Sequence, residues 1–392
     1  MTNKLKLTVA QRMASIEPFH VMDLLAKARQ LESQGRSIIH MEIGEPDFVT
    51  PQSVLDAATS AIQQGLTHYT PAMGIAPLRE AISKYYRNIY GVSVSAGQIV
   101  ITPGASGALM LVLGVMVNPG DRVLMTDPGY PCNRHFVRML GGEPIGIPVN
   151  ASTGYQLSAE LLEQHWTPNT RAIMLASPAN PTGSVLTENQ LQEVIRIVEA
   201  KGAYLIMDEI YHGLVYGVQA STAAGRSDNV VVINSFSKYF TMTGWRLGWL
   251  VAPFFLIRDL DKLAQNIFLA PPTLSQYAAL AAFDDQTITV LEQRRVEFQR
   301  RRDFLLPQLR QLGFDIPRQP EGAFYLYADC SRFSADSQRF CEDLLQEAGV
   351  AITPGIDFGH HLSRTHVRFA YTTALEKLQE GVTRIAGFVD KR

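Results

Sequence analysis

Lys238 lies in the segment Asn234-Ser-Phe-Ser-Lys-Tyr-Phe-Thr-Met-Thr-Gly-Trp-Arg-Leu-Gly-Trp249, directly after the apolar run 230–233. An amine in a small, hydroxyl-rich loop becomes a carbonyl nucleophile once its pKa is lowered, because only the neutral form attacks to give a Schiff base. Ser235 and Arg246 flank it with a hydroxyl and a permanent guanidinium, donors that suit a phosphate. Thr102-Pro-Gly-Ala-Ser-Gly-Ala-Leu109 is a second anion-binding candidate, a glycine turn that runs into a helix near Ser106 and exposes the backbone N–H groups of a helix N-terminus. In Tyr204-Leu-Ile-Met-Asp-Glu-Ile-Tyr211 an acid, Asp208, follows an apolar run directly, where it could keep a ring nitrogen protonated. Asn180, in Ser177-Pro-Ala-Asn-Pro-Thr-Gly183, carries an amide able to touch both a cofactor oxygen and a substrate carboxylate.

Singly, each feature also has a plain structural reading: a solvated loop lysine, a ligand-free glycine turn, a helix-capping Asp208, a Pro/Asn/Gly turn. The elements that carry them bring them together. Seven short apolar runs, at 99–101, 122–125, 143–148, 172–175, 204–207, 230–233 and 249–252, alternate with helical segments such as 106–117 and 188–200, the latter preceded by Thr187 as a cap. The runs lack apolar/polar alternation, so they read as strands buried on both faces of one mostly parallel sheet in an α/β fold. Ligands of such sheets bind beyond the carboxyl ends of the strands, where Asp208, Lys238 and the Gly104 turn all emerge. After residue 285 the character changes to a charged helix at 291–312, then strands at 323–328 and 367–370 on either side of a helix at 337–348. This is a smaller α+β layer, which a strand at 38–43, following a helix-like 19–33, could join. The expected domains are 48–285, and 1–47 with 286–392.

At 392 residues the chain exceeds the roughly 250 to 300 that one core supports, which agrees with two domains. A net charge of -2 gives no electrostatic reason for a nucleic-acid or anionic-membrane partner. Three cysteines, Cys132, Cys330 and Cys341, with no close pair, suit reduced thiols. No run of roughly 18 apolar residues occurs, and the first twelve residues lack the apolar centre of a signal peptide. A soluble, cytoplasmic protein is expected. His360 and His361 lack partners at metal-ligand spacing, so no metal is expected.

Taken in order, the motifs resemble those of the class I/II aminotransferases of pyridoxal 5′-phosphate (PLP) fold type I. The match includes Gly44-Glu-Pro-Asp47, Tyr69, Gly74, Leu78-Arg79, the Gly104 turn, Asp127-Pro-Gly-Tyr-Pro131, Asn180-Pro-Thr-Gly183, Asp208-Glu-Ile-Tyr211, Ser235 to Lys238, Arg246 and Arg368. The resemblance implies a seven-stranded mostly parallel sheet plus a smaller α+β part, and transfer of an amino group from an L-amino acid to a 2-oxo acid by a ping-pong mechanism. It makes Lys238 the catalytic residue that forms the internal aldimine and shuttles the proton. Asp208 would pair with the pyridinium nitrogen, Tyr211 and Asn180 with the ring hydroxyl oxygen, and Tyr130 would stack on the ring. Ala105, Ser106, Ser235 and Arg246, with Ser237, would hold the phosphate. Arg368 would grip the substrate carboxylate, with Gly44 and Asn180 beside it. Tyr69 would reach the phosphate of a neighbouring subunit, which implies a homodimer with shared sites.

For the side-chain pocket the sequence offers Gln265 and Ser106 where dicarboxylate-selective relatives carry cations. The segments 19–22, 266–270 and 324–327 are apolar or aromatic, so neutral or aromatic substrates are expected. The runner-up is a carbon–sulfur β-lyase, or another elimination or decarboxylation enzyme of the same fold, which needs the same lysine. A PLP-sensing transcription regulator would need a helix-turn-helix region, and none precedes residue 20.

Overall fold

The computed structural model describes residues 8–392; residues 1–7, part of the expected N-terminal segment, lie outside it. All seven expected runs are strands of one sheet, ordered Ile99–Thr102, Gly248–Val251, Val230–Ser235, Tyr204–Asp208, Thr170–Ala176, Arg122–Asp127 and Glu143–Pro148 from edge to edge. Gly248–Val251 is antiparallel to both of its neighbours, and the other four pairings are parallel. The central strands are buried along their length, as unbroken Val/Ile/Leu runs require. Glu143–Pro148 departs from that expectation. It is an edge strand, half open to solvent, and prolines at both Pro144 and Pro148 suit a position where not every N–H is paired.

Helix Gly104–Met116 begins two residues before the expected start, because Gly104 (φ +71°) makes the sharp exit from the strand. Helix Glu188–Lys201 carries the expected Thr187 cap, whose hydroxyl accepts the Gln190 N–H while the Gln190 side chain returns to the Thr187 N–H.

The remaining strands form two small sheets. Ile39–His40 pairs in parallel with Val350–Ala351 beside helix Leu375–Val389, and Tyr325–Asp329, His366–Ala370 and Thr353–Pro354 form an antiparallel sheet beside helix Ser337–Ala348. Two expected strands are shorter than their apolar runs. At 38–43, strand pairing stops early because the carbonyls of Glu42, Ile43 and Gly44 accept hydrogen bonds from side chains. At 323–328, Ala323 takes a positive φ of 57° and donates its N–H to Leu214, outside the sheet.

Helix Asp285–Leu312 starts six residues before the expected 291. Its Arg301 is 3% exposed and makes a two-point ion pair with Asp47, at 2.8 and 3.1 Å, and a bond to Thr372 O at 2.9 Å. The acid of the Gly44-Glu-Pro-Asp47 motif therefore pins the Gly44 segment to this helix. Arg301 also pairs with Glu297 at 3.1 Å, so removing Asp47 leaves its buried charge only partly compensated. Because Asp47 is itself about a third exposed, Asp47→Asn is predicted to cost about 2 kcal/mol, below the range for fully buried pairs, measured as a lowered urea midpoint with an unchanged slope.

Candidate active site

The loop after strand Val230–Ser235 is anchored by Phe236, fully buried 4.9 Å from the ring of Trp249 and 5.0 Å from that of Phe240. Phe236 also donates its N–H to Leu247 O and accepts that of Met242. With the loop fixed at this point, Lys238 Nζ reaches across to donate to Gly44 O at 2.7 Å. Its pKa is pulled down to about 8, chiefly by burial, then by the positive charges of Arg368 and Arg246, against the opposing pull of Glu45 and Asp208.

At the end of the neighbouring strand Asp208 is 5% exposed. One oxygen accepts the Ile210 N–H at 3.1 Å, and the other has no hydrogen bond among the described residues. Burial pushes its pKa up to about 6. Glu209 turns into the interior instead, where it accepts from Thr222 Oγ1 at 2.8 Å and Ala223 N at 2.7 Å. Of these adjacent acids only Asp208 lines the Lys238 cavity.

The Gly104 turn and Arg246 form one cradle. A Cβ on Gly104 would lie 2.7 Å from Arg246 Nη2, so only glycine lets the guanidinium approach the helix N-terminus. Arg246 is held by its own left-handed backbone (φ 51°) and by a bond from Nη1 to Thr243 O at 3.0 Å. The first-turn residues Ala105 and Ser106 line the same cavity, as do Ser235, Ser237 and Thr243. The Ser106 hydroxyl makes no hydrogen bond among the described residues.

Opposite stands Arg368, 3% exposed. It donates Nη1 to Asn180 Oδ1 at 2.8 Å, and Nη2 to Glu42 O at 2.6 Å and Thr353 Oγ1 at 3.2 Å. Its planar group lies 4.2 Å from the Tyr325 ring centre and 4.8 Å from that of Phe358. Among the described residues it has no carboxylate partner, and its Nε is buried without an acceptor. A buried guanidinium so placed is a site for a carboxylate.

The cavity brings together Gly44, Ala105, Ser106, Tyr130, Asn180, Asp208, Tyr211, Ser235, Ser237, Lys238, Arg246 and Arg368 from separate stretches of chain. Tyr69 is not among them; it is 83% exposed. The sequence reading placed Tyr325 only within the pocket segment 324–327 and gave it no role; its hydroxyl is 2.8 Å from that of Tyr211 and would lie 1.8 Å from a Cβ on Gly44. It also missed Leu25 and Arg29, which continue the wall begun by Phe19, Val21 and Met22 along helix His20–Ser33. Their helical spacing was visible, but not the cavity they face. Asp357 holds that helix in place by accepting the His20 and Val21 N–H groups, each at 2.9 Å.

An amine near neutrality, a buried acid with one open oxygen and a cradle of phosphate donors at one sheet edge fit PLP group by group: its aldehyde, its ring nitrogen and its phosphate. Fold and site thus define a PLP-dependent enzyme of fold type I. The chain belongs to the aminotransferase class I and II family, whose sequence profile matches residues 36–385. It is 38% identical to the (5-formylfuran-3-yl)methyl phosphate transaminase of Methanocaldococcus jannaschii, over 98% of this chain and 100% of that protein. Identity is 39% to the valine–pyruvate aminotransferase of Mycobacterium tuberculosis, over 96% and 97% of the two chains. A crystal structure of an aminotransferase from Mycobacterium tuberculosis superposes with a TM-score of 0.95 at 38% identity, covering 99% of this chain and 100% of that one. The protein is a transaminase, and its cofactor is PLP.

A lysine titrating near 8 is half neutral at that pH, and the neutral fraction grows as pH rises. Covalent capture of PLP by the apoprotein, followed by borohydride fixation and peptide mapping, is therefore predicted to accelerate up to about pH 8 and then level off, with the adduct on Lys238. An ordinary lysine would keep gaining to about pH 10.

Proposed function

We propose that the enzyme takes the amino group from an L-amino acid with a neutral or aromatic side chain and passes it to a 2-oxo acid, with Lys238 as the catalytic residue. The observation that carries this reading is Arg368, a buried guanidinium with no acid partner among the described residues, lining the same cavity as an amine poised near neutrality. Bound there, the cofactor supplies a carbonyl that accepts the amino group and a ring that draws electrons from the substrate α-carbon.

The residues divide the remaining work. Arg368 and Asn180 hold the α-carboxylate, and Gly44 leaves room for it. Lys238, as a neutral base, would take the proton from the substrate α-carbon and deliver it to the carbon of the cofactor's aldehyde group. Asp208 keeps the ring nitrogen protonated; Tyr211 and Asn180 donate to the ring hydroxyl oxygen; Tyr130 covers one face of the ring. The Ala105 and Ser106 N–H groups, the Ser106 and Ser235 hydroxyls and Arg246 hold the phosphate, with Ser237 beside them. The side chain lies against Phe19, Val21, Met22 and Leu25, which, with Arg29 one turn further along the helix, form a mostly apolar wall that favours neutral or aromatic donors. The valine–pyruvate relative agrees with this preference.

The domain division at 47/48 and 285/286 is part of the same proposal. It is supported by the large sheet lying wholly within residues 99–251 and the two small ones drawing only on 39–40 and 325–370. So is a homodimer with shared sites. Tyr69 at 83%, Ile267 at 42% and Leu269 at 60% are exposed, and Thr273 Oγ1 bonds His68 O at 2.9 Å, so the segments that carry these exposed side chains adjoin. Sedimentation should give a dimer that Leu269→Arg weakens; a monomer in the unmodified protein refutes it. Three free cysteines favour a cytoplasmic setting, and among the described residues no helix is long and apolar enough to cross a membrane.

The assignment is tested by mixing the PLP form with single amino acids and following loss of its visible absorbance. Valine, leucine or phenylalanine is predicted to outpace aspartate. Arg368→Gln should lower kcat/KM for every amino acid by about a hundredfold, the value of a charged two-point contact. Lys238→Ala should abolish turnover in a protein that still folds, and normal transamination by that variant would sink the role given to Lys238.

A further inference from the structure

Tyr325 opens strand Tyr325–Asp329, whose register with His366–Ala370 sets Arg368 opposite Tyr327. Tyr325 and Tyr327 share a face of the strand, so Tyr325 and Arg368 are diagonal neighbours on it. The Arg368 guanidinium lies 4.2 Å from the Tyr325 ring centre, and the Tyr211 ring meets Tyr325 edge-on at 5.8 Å. At the tip of the ring the hydroxyl fills the space that Gly44 leaves open, where a Cβ would collide with it. Held at its face and at its tip, Tyr325 is 1% exposed. Its hydroxyl has one hydrogen-bond partner among the described residues, the Tyr211 hydroxyl at 2.8 Å.

Two hydroxyls in contact have only two protons to place. Burial raises both above the usual tyrosine range, while Arg368 pulls both the other way. Tyr130 adds to the rise at Tyr211, and Lys238 Nζ stands 5.8 Å from the Tyr211 ring centre. Each hydroxyl therefore keeps its single proton at neutral pH. Taken alone, the pair can be joined by either proton. Once Tyr211 gives its proton to the ring hydroxyl oxygen of the cofactor, only Tyr325 has one left, and the bond must run from Tyr325 to Tyr211.

We propose that Tyr325 is a positioning residue for the reaction: by donating to Tyr211 it aims that hydroxyl at the ring oxygen and strengthens its donation there. The inference rests on the role given to Tyr211 under the proposed function and deepens it. A hydroxyl that accepts one hydrogen bond donates a stronger one. With PLP joined to Lys238, the Tyr211 proton and a proton on the lysine nitrogen compete for the same ring oxygen. A stronger Tyr211 donor stabilises that oxygen as an anion without the second proton, and so lowers the pH at which the nitrogen loses it.

The test follows the visible absorbance of the PLP form against pH, whose midpoint reports the proton on the nitrogen. Four proteins are compared: the unmodified enzyme, Tyr325→Phe, Tyr211→Phe and the double variant. Each change keeps the ring, and with it the packing against Arg368, so the variants are expected to fold. Tyr325→Phe should raise the midpoint by about half a pH unit, and Tyr211→Phe by about one unit or more, since the second removes the bond to the charged oxygen itself. Adding Tyr325→Phe to Tyr211→Phe should shift the midpoint no further, because Tyr325 acts through Tyr211. An unmoved or lowered midpoint in Tyr325→Phe, or an undiminished rise when that change is added to Tyr211→Phe, overturns the proposal. An unmoved midpoint in Tyr211→Phe would instead refute the placement of Tyr211 at the ring oxygen.

Discussion

Lys238, Arg246 and Arg368 line one cavity, and the acids that attract Lys238 there, Glu45 and Asp208, offset only part of their charge. Like charges gathered in a region of reduced solvation repel, and the lysine yields first because it can shed its proton while a guanidinium cannot. The structure spends many contacts on keeping the three where they repel. Arg368 is held by the Asn180 amide, the Glu42 carbonyl, Thr353 and two aromatic faces. Arg246 is held by a left-handed backbone and Thr243. Lys238 is stretched to Gly44 O. The same repulsion makes the site attractive to a doubly anionic pair, cofactor phosphate and substrate carboxylate, and lowers the amine into the range where it can act as a base.

Residues 41–44 are the hub of this arrangement. Met41 is paired on both sides by Ala351 and Ala370, Glu42 O takes Arg368 and Thr353, Ile43 O takes Thr372, and Gly44 O takes Lys238. Backbone that might have continued a strand is used as a row of acceptors. The Glu42 side chain, fully buried, is steadied by His40 Nδ1 at 2.7 Å, and His40 is held charged, its pKa raised to about 9 first by that bond. A short piece of chain therefore ties Lys238 to Arg368.

Much of this was legible in the sequence. Unalternating apolar runs mark sheet-buried strands because both faces must be covered, and all seven were placed from that pattern alone. Asp208, Lys238 and the Gly104 turn were legible because the carboxyl ends of such strands are where ligands bind. The edge strand at 143–148 read as buried because a short window cannot reveal that a strand has a neighbour on one side only. Tyr325 was missed as an individual site residue because its partners, Tyr211 and Gly44, are remote in sequence and nothing local marks a hydroxyl that will fill the space of an absent Cβ. Asp208 was singled out because it directly follows an apolar run; that Thr222 and Ala223 draw the adjacent Glu209 inward appears only in three dimensions.

The roles proposed for Arg368, Lys238 and the wall of Val21, Met22 and Leu25 would also fix handedness. A carbon held by its carboxylate at one point, with its hydrogen offered to a base at a second and its side chain against a third, can satisfy all three in one enantiomer only. In the mirror image, keeping the carboxylate and hydrogen in place drives the side chain away from the apolar helix and into polar surroundings. Discrimination between enantiomers then follows from the angle between a buried arginine and a helix face, with no group dedicated to that task.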